Sequence, residues 1–269
     1  MNWRLLLVVA SFWLARPAPA RQIAPVKATA QEQQEIATLL SELRSKEGDA
    51  VEAAQKLAAL EGPQALEAML TELAIGVQPR VAAALLEGLV PRKDPRAIEV
   101  LALYSRNRNP ELRHRAVQAL GEIHDAQVVP LLVAALSDGS AEVRAAAAAA
   151  LGARREKSAE RPLLRLLQRQ DPAAPAALGQ IGGPETARTL AEMVGNIPDR
   201  LVVQTLGELL KRADFGPDPL RLEVVRTLGK IPGNEALDAL TDYLKLSSKD
   251  RTRPSRVEAS KIIEQRTAK

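Results

Sequence analysis

The stretch AEVRAAAAAALGARR, residues 141–155, decides the fold of the chain. Its run of alanines ends in Leu151-Gly152, and the same Leu-Gly ending returns before and after it. The other copies stand at Leu120-Gly121, Leu178-Gly179, Leu206-Gly207 and Leu228-Gly229. The leucines of successive copies are 31, 27, 28 and 22 residues apart. Such recurrence is typical of a repeat protein, in which each unit is one supersecondary element.

A second amphipathic stretch lies between successive copies, which indicates that the unit is a pair of helices. In AQVVPLLVAALS, the apolar residues follow the spacing of one helix face. These residues are Val128, Val129, Leu132, Val133 and Leu136. Alanine and leucine favour helices, and only 2% of the 269 residues are aromatic. We predict an all-α protein, a right-handed α-solenoid of about six to seven stacked antiparallel helix pairs.

Proline pairs mark the predicted helix starts. In Asp94-Pro95, Asn109-Pro110 and Asp171-Pro172, a short polar side chain precedes a proline. Proline fits the first turn of a helix, and the polar side chain before it can cap the free amides. These pairs therefore separate one predicted helix from the next.

Two copies carry a more specific pattern. They are Val143-Arg144 with Ala147, Ala150, Leu151 and Gly152, and Leu112-Arg113 with Ala116, Ala119, Leu120 and Gly121. The pattern resembles the HEAT-repeat superfamily, in particular the short HEAT-like repeats of the phycobilin-lyase type. The resemblance covers residues 62–266, and residues 30–60 are expected to form an N-terminal capping pair, so that 30–266 make up the solenoid. The resemblance implies a fold and leaves the activity open, because such repeats serve unrelated partners.

The small residues of the motif are expected to lie at helix contacts. Alanines 145–150 would fill mid-helix positions where one pair meets its neighbours, since small side chains let backbones approach closely. The glycine after each leucine would serve the same contact, at a helix-propensity cost of about 1 kcal/mol relative to alanine. The alanine run is then a closely packed copy of the repeat.

The interval between Leu206 and Leu228 is too short to hold the usual first helix of a pair. We interpret it as a shortened repeat, because variation in helix and loop length is ordinary in repeat arrays. A hinge or a binding notch around Phe215 is the alternative.

The N-terminus has the features of a secretory signal peptide. Arg4 precedes an apolar run over residues 5–15, and Ala18-Pro19-Ala20 forms a small-residue cleavage site. We expect residues 1–20 to be removed, residues 21–29 to be extended, and the product to be periplasmic or secreted. Residues 267–269 are expected to form a short tail.

The chain has no cysteine, which excludes disulfides, and the mature net charge would be only about +2.

Signatures of catalysis are absent from the sequence. There is no G-x-S-x-G elbow, no Walker loop, no H-E-x-x-H and no Rossmann fingerprint. His114 and His124 are the only histidines, and neither stands near ligands at metal-binding spacing. We therefore predict a protein that is not an enzyme and has no catalytic residues, cofactor or metal.

Arg113 and Arg144 occupy equivalent places in successive repeats, so they should form a row. In one interpretation they hydrogen-bond the turn of an adjacent repeat, where Asn109 and Asp138 provide acceptors and caps. In the other they line the concave face and bind an acidic partner. We favour the structural interpretation, because the resemblance implies such a ladder and arginine suits planar, multi-donor pairing.

Display of a curved surface to another protein is the predicted function. The candidate partner-binding residues on the concave face are Arg80, Arg115, Arg200, Arg221 and Arg226. Residues 245–269 are basic but lack interleaved aromatics, so nucleic acid is not an expected partner, and no small-molecule substrate is inferred. The alternative is a lyase-like protein, as the resemblance implies, or a regulatory subunit of an envelope enzyme.

Overall fold

Residues 29–45, 49–246 and 252–268 are described by the computed structural model. The predicted signal peptide, the segment 21–28 and Lys269 lie outside these residues. The α-helices within them are α1 Ala30–Arg44, α2 Ala50–Ala59, α3 Pro63–Ile75, α4 Pro79–Leu89, α5 Ile98–Tyr104, α6 Pro110–Glu122, α7 Val128–Ala135, α8 Ala141–Ala153, α9 Glu160–Gln168, α10 Ala174–Ile181, α11 Pro184–Met193, α12 Asp199–Lys211, α13 Asp218–Lys230, α14 Asn234–Lys245 and α15 Pro254–Thr267. Short 3-10 turns, Pro95–Ala97 and Lys157–Ala159, precede α5 and α9.

The helices form two rows. Successive even-numbered helices pack closely from α2 to α14, and each odd-numbered helix packs on its even-numbered neighbour. Up to α13 the odd-numbered helices barely touch one another. No strand occurs in the described ranges, where the β structure is limited to an isolated bridge between Val194 and Ile197. The predicted all-α solenoid of stacked helices is confirmed.

The leucine of each Leu-Gly motif lies in the core between the rows. Leu120, Leu151, Leu178 and Leu206 are completely inaccessible to solvent. Full burial of one leucine contributes about 1.5–3 kcal/mol, so the recurring leucines account for much of the contact between units. The helices of a pair cannot bury these side chains alone, which is why they are stable only as a stack.

The glycine of the motif allows close contact between even-numbered helices, as predicted. A Cβ atom placed on Gly121 would lie 2.8 Å from the Cβ of Ala150 in the next even-numbered helix. A Cβ on Gly179 would lie 2.1 Å from the Cβ of Glu208. Real Cβ contacts are not this short, so a larger residue at these positions would separate the helices.

The alanine run is divided between the core and the surface. Ala147 and Ala148 are buried, and Ala150 contacts Gly121 of α6. Ala145 and Ala149 are exposed, so the expectation that the whole run fills helix contacts is wrong for them. The helical period explains the division, because positions two apart in a helix point in different directions.

Predicted helix starts are confirmed where an amide or acid precedes proline at a tight turn. The Asn109 side chain accepts a hydrogen bond from the Glu111 amide at 2.9 Å, and Pro110 is the first residue of α6. Asp94 accepts from the Arg96 amide at 2.9 Å before the 3-10 turn at Pro95. These caps set the direction in which each helix leaves its turn.

The short interval between Leu206 and Leu228 is a direct connection from α12 to α13. Residues 212–217 join the two helices, and α13 enters the odd-numbered row. There Gly229 packs on Ile262 of α15, as glycines of earlier motifs pack on even-numbered helices. The expected shortened repeat is wrong, because α11–α12 and α13–α14 are both complete helix pairs, and the Leu-Gly motif instead changes rows at this point.

Phe215 is buried in the connection. Its side chain is 3% exposed, and the Arg221 guanidinium lies 5.9 Å from the centre of its ring. The Phe215 side chain itself is therefore not accessible to a partner, as a notch built around it would require. The Asp214 carboxylate nearby accepts hydrogen bonds from Arg212 and lies 2.9 Å from Arg155, and these cations lower its pKa to about 2.

No helix within the described ranges combines the length and the apolar character that a membrane span requires.

Candidate functional site

The even-numbered helices present an open surface, which we call the even face. It consists of the exposed side chains of α4, α6, α8, α12 and α14, and two grooves lie on it. Between them stands α10, whose exposed residues Ala176 and Gln180 carry no charge. The even face is therefore two charged grooves separated by a neutral helix.

The first groove runs between α4, α6 and α8 and has a volume of about 900 Å³. Its polar lining consists of Glu87, His114, Arg115, Gln118, Glu122 and Glu142, and its apolar lining includes Ala145, Ala146, Ala149, Ala150 and Ala153. The exposed alanines leave the groove shallow and open. A partner backbone can approach α8 here without meeting a long side chain.

Carboxylates outnumber cations in the first groove. The Arg115 guanidinium donates to Glu87 at 2.7 Å and to Glu111 at 3.1 Å, so two acids neutralise it. A hydrogen bond from the Ser140 hydroxyl lowers the pKa of Glu142, so that this group is ionised at neutral pH. The groove presents a net negative charge to a partner.

The second groove lies between α12 and α14 and has a volume of about 450 Å³. Its charged residues are Arg200, Glu208, Lys211, Glu235, Asp238 and Asp242. Glu235 and Asp238 are exposed on α14 and make no ion pair or hydrogen bond among the described side chains. A hydrogen bond from Lys245 lowers the pKa of Asp242. This groove is acidic as well.

The candidate arginines do not form one cluster. Arg80 and Arg200 are exposed on even-numbered helices, as expected of partner-binding residues. Arg115 is on the same face, but it is held in ion pairs with glutamates of α4 and α6. Arg226 is exposed on α13, which belongs to the odd-numbered row. The even face is thus dominated by carboxylates, which the sequence analysis did not anticipate.

Arg221 is not a surface residue, and its assignment to the partner-binding face is wrong. The side chain is 6% exposed and donates to the backbone carbonyls of Leu210, Arg212, Ala213 and Gly216 at distances of 2.6–3.2 Å. These carbonyls belong to the end of α12 and the following turn. Arg221 holds the α12–α13 connection together.

Arg113 and Arg144 form the predicted ladder between turns. The Arg113 guanidinium donates to both oxygens of Asp138, at 2.7 and 2.8 Å, and Asp138 also accepts from the Ser140 amide at 2.8 Å. Arg144 donates to Asp171 at 2.6 Å and to the Asp138 carbonyl at 2.8 Å. The structural interpretation is confirmed, although Asn109 caps α6 and does not accept from Arg113.

Arg221 and Arg256 share with Arg113 and Arg144 the contacts to preceding backbone carbonyls, but within the described ranges they form no ion pair with an aspartate of a following turn. Arg256 is 5% exposed, donates to the Tyr243 and Leu244 carbonyls and lies 5.0 Å from the centre of the Tyr243 ring. The internal role of Arg221 could have been predicted from the sequence, because Arg221 precedes Leu228 by seven residues, as Arg144 precedes Leu151. The same spacing places both near the start of a helix, where the guanidinium reaches the carbonyls of the preceding turn.

The sequence analysis did not identify a second set of arginines, which lie at or just after the C-terminal ends of helices. Each donates to carbonyls at the end of a neighbouring helix in its row. The set comprises Arg92, Arg154, Arg212 and Arg266. Cations suit helix C-termini, where carbonyls lack partners and the dipole is negative.

The histidines do not form a metal site. His114 is half-buried in the first groove, and His124 is an exposed turn residue whose Nδ1 lies 3.1 Å from the Glu122 carbonyl oxygen. Within the described ranges, histidines and carboxylates form no group of three or more able to hold a metal ion.

Solved structures with a similar architecture include an enzyme complex and an engineered protein. The complex of CpcE and CpcF of phycocyanin lyase from Nostoc sp. PCC7120 is 18% identical, with 93% of this chain and 99% of that chain covered and a TM-score of 0.45. Human deoxyhypusine hydroxylase is 22% identical, with 88% and 97% covered and a TM-score of 0.40. An engineered protein is 19% identical, with 84% and 77% covered and a TM-score of 0.43.

No curated protein matches the sequence. The family model of HEAT repeats matches residues 99–177, 129–210 and 183–261, which together make up more than half of the chain. These residues include the ladder arginines, the alanine run and the motif that changes rows. The chain belongs to the HEAT-repeat family.

Proposed function

We propose that this protein is a non-enzymatic interaction scaffold that binds a protein partner along the even face. The observation that carries the proposal is that the two grooves on this face remain open and keep unpaired charged groups, such as Glu235 and Asp238, available to a partner. The ladder arginines Arg113 and Arg144, by contrast, form ion pairs with Asp138 and Asp171 within the protein. Glu235 and Asp238 therefore have no ion pair or hydrogen bond among the described residues that would give them a structural role.

The sign of the charge indicates the kind of partner. Both grooves present more carboxylates than cations, so a partner surface with lysines or arginines would match them. Exposed rim charges mainly increase association rates and help to select partners, whereas the apolar lining between α12 and α14 supplies buried area. We propose a basic protein surface as the ligand of the even face.

Capture with charge-reversed variants tests this proposal. The full chain, crosslinked in the cell envelope, should recover a partner that the double variant Glu235→Lys/Asp238→Lys recovers at least about tenfold less. Glu223→Lys is the matched control, because Glu223 is equally exposed but lies on α13 in the odd-numbered row. The proposal fails if the double variant keeps the partner, or if the control loses it while both proteins remain helical.

Export to the envelope is part of the proposal and depends on the signal-like sequence of residues 1–20. N-terminal sequencing of the protein recovered from cells should begin at Arg21. A recovered chain that begins at Met1 would contradict it. Should a chromophore or another small molecule co-purify in place of a protein, the lyase-like alternative would replace the scaffold.

A further inference from the structure

One edge of the solenoid carries an apolar surface that the fold does not use. Among the described residues, Ile75 and Leu103 are the most exposed large apolar side chains, at 70% and 60%. Both lie where odd-numbered helices end and even-numbered helices begin. Large apolar side chains exposed along one edge of a domain mark a surface that is covered in use.

A groove lies beside Leu103. Leu103 lines a cavity of about 690 Å³ together with Leu73, Ala74 and Gly76, whereas Ile75 is exposed next to these residues in the chain and is not part of the lining. The Tyr104 hydroxyl donates to the Leu73 carbonyl at 3.1 Å and so fixes the end of α5 against the end of α3. The cavity is therefore built on rigid elements.

The groove continues to the next helix. A second cavity of about 380 Å³ between α5 and α7 shares Arg106 and Asn107 with the first and includes Leu131. We call the two cavities together the edge groove. The shared residues make the edge groove continuous across the ends of α3, α5 and α7.

The charge of the edge groove is opposite to that of the even face. Arg106 and Arg108 line it and are exposed, and their side chains make no ion pair or hydrogen bond among the described residues. The carboxylates of the lining are Glu99, which is a single exposed acid, and Asp138, which Arg113 neutralises. The N-termini of α6 and α8 face this edge together with the C-termini of α3, α5 and α7, so the helix dipoles oppose one another and the positive charge comes from Arg106 and Arg108.

Two other occupants fit this surface less well. Residues 21–28 of the chain contain Arg21 and Lys27 and no acid, so the arginines of the groove would repel them. A lipid surface is best bound by protruding apolar side chains, whereas Leu103 lines the wall of a cavity. Concave shape, apolar walls and free arginines favour a peptide with large apolar and acidic side chains.

We propose that the edge groove binds an acidic amphipathic segment of a protein partner, with an apolar side chain against Leu103 and carboxylates at Arg106 and Arg108. This inference rests on the proposed scaffold function but concerns a different surface and the opposite charge. The even face and the edge groove would then hold two chemically different parts of one partner or of two.

Binding of a synthetic probe tests the proposal directly. The probe is a fluorescein-labelled helical peptide with leucine every three or four residues and glutamate elsewhere, and its fluorescence anisotropy is followed with the full chain. Leu103→Ser and the double variant Arg106→Glu/Arg108→Glu should each raise Kd about tenfold or more, and added salt should weaken the wild-type complex. Val257→Ser and Arg226→Glu, which replace exposed residues elsewhere, should leave Kd unchanged.

Several outcomes would overturn the proposal. A peptide with lysine in place of glutamate that binds as tightly would remove the charge argument, and an unchanged Kd in Leu103→Ser would remove the apolar one. Self-association lost in Leu103→Ser, with no peptide binding, would assign the groove to a second copy of the chain. Sedimentation with anionic vesicles lost in the same variant, again without peptide binding, would assign it to a membrane.

The two proposals fail separately. If the peptide does not bind but Glu235→Lys/Asp238→Lys still abolishes partner capture, the edge-groove proposal is wrong and the even-face proposal is retained. If the peptide binds and partner capture does not depend on the even face, the edge-groove proposal is retained and the even-face proposal is wrong.

Discussion

Ala147 and Ala149 stand two residues apart in the alanine run, yet one is buried and the other is exposed. Replacing Ala147 with leucine adds three carbon atoms to a site without free space and should lower the free energy of unfolding by about 1–3 kcal/mol. Ala149→Leu is the matched control, because its side chain points into the first groove and should change stability little. Chemical denaturation of both variants measures the difference. Equal stability would contradict the packing described for α8.

Asp138 makes stability depend on pH. Hydrogen bonds from Arg113 lower the pKa of this carboxyl in the folded protein, so the ionised form stabilises the fold above the ordinary carboxyl pKa of about 3.9. This contribution is lost as the pH falls through the lowered pKa. Asp138→Asn should therefore cost about 1–3 kcal/mol at neutral pH and progressively less below about pH 4.

Denaturation at a series of pH values measures the effect of Asp138. Asp242→Asn is the control, since Asp242 is paired only with Lys245 on the surface and should contribute little at any pH. A cost of Asp138→Asn that does not shrink in acid would contradict the assigned ion pair.

Single residues were predictable where their partners are set by the repeat. Arg113 and Arg144 recur at one motif position, so their common role could be inferred from spacing alone. The acceptors of Arg154 are carbonyls of Ile123 and Asp125, about 30 residues away, and a carbonyl has no sequence signature. The charge of the even face was missed because the glutamates around Arg115 lie on different turns and helices.

At the scale of elements, Arg221 determines how α12 connects to α13. Arg221→Met keeps the apolar part of the side chain but leaves the carbonyls at the end of α12 without a donor. We expect it to lower the free energy of unfolding by about 2–3 kcal/mol. Arg226→Met, one turn farther along the same helix, should change stability by less than about 0.5 kcal/mol.

Thermal or chemical denaturation of these two variants decides between the roles considered for Arg221. A partner-binding surface residue could be replaced without loss of stability. A small effect of Arg221→Met, similar to that of Arg226→Met, would thus restore the assignment made from the sequence.

The change of row at α13 could not be read from the motif. The segment LEVVRTLGKI that contains Leu228 resembles the earlier copies and predicts a helix of the same type. Which row it joins depends on whether a helix precedes it, and the six residues 212–217 leave no room for one. The Leu-Gly motif specifies that its helix packs closely on another helix. The length of the connection before that helix determines which row it joins and therefore which helix it packs on.

For the whole molecule, the stack of nearest neighbours predicts graded stability. A helix such as α8 has even-numbered neighbours on both sides, whereas α1 and α15 lie at the ends of the array. Amide hydrogen exchange should therefore be slowest around α8 and α10 and faster toward both ends. Mass spectrometry of exchanged peptides checks this expectation. Uniform protection from α1 to α15 would show that the array unfolds only as a unit.

The fold was predictable because the same local pattern is repeated. Every unit buries its leucine against the next, so an error at one unit does not change the architecture. The surfaces were not predictable to the same degree. Whether Arg80, Arg115 or Arg226 faces a groove depends on helix direction and row, and those are set by contacts among units rather than by any one unit.

The change of row also affects how the array bends. Up to α12, glycines draw the even-numbered helices together while the odd-numbered helices stay apart, a wedge that turns the stack toward its even side. Beyond α12, Gly229 draws α13 to α15 on the odd side while α12 and α14 still pack on the even side, so the wedge loses its bias. We therefore expect the stack to form an arc toward its even side up to α12 and to curve less beyond it. A rigid ligand long enough to follow the arc would have to leave the surface there, and a ligand that reaches the last helices must itself bend.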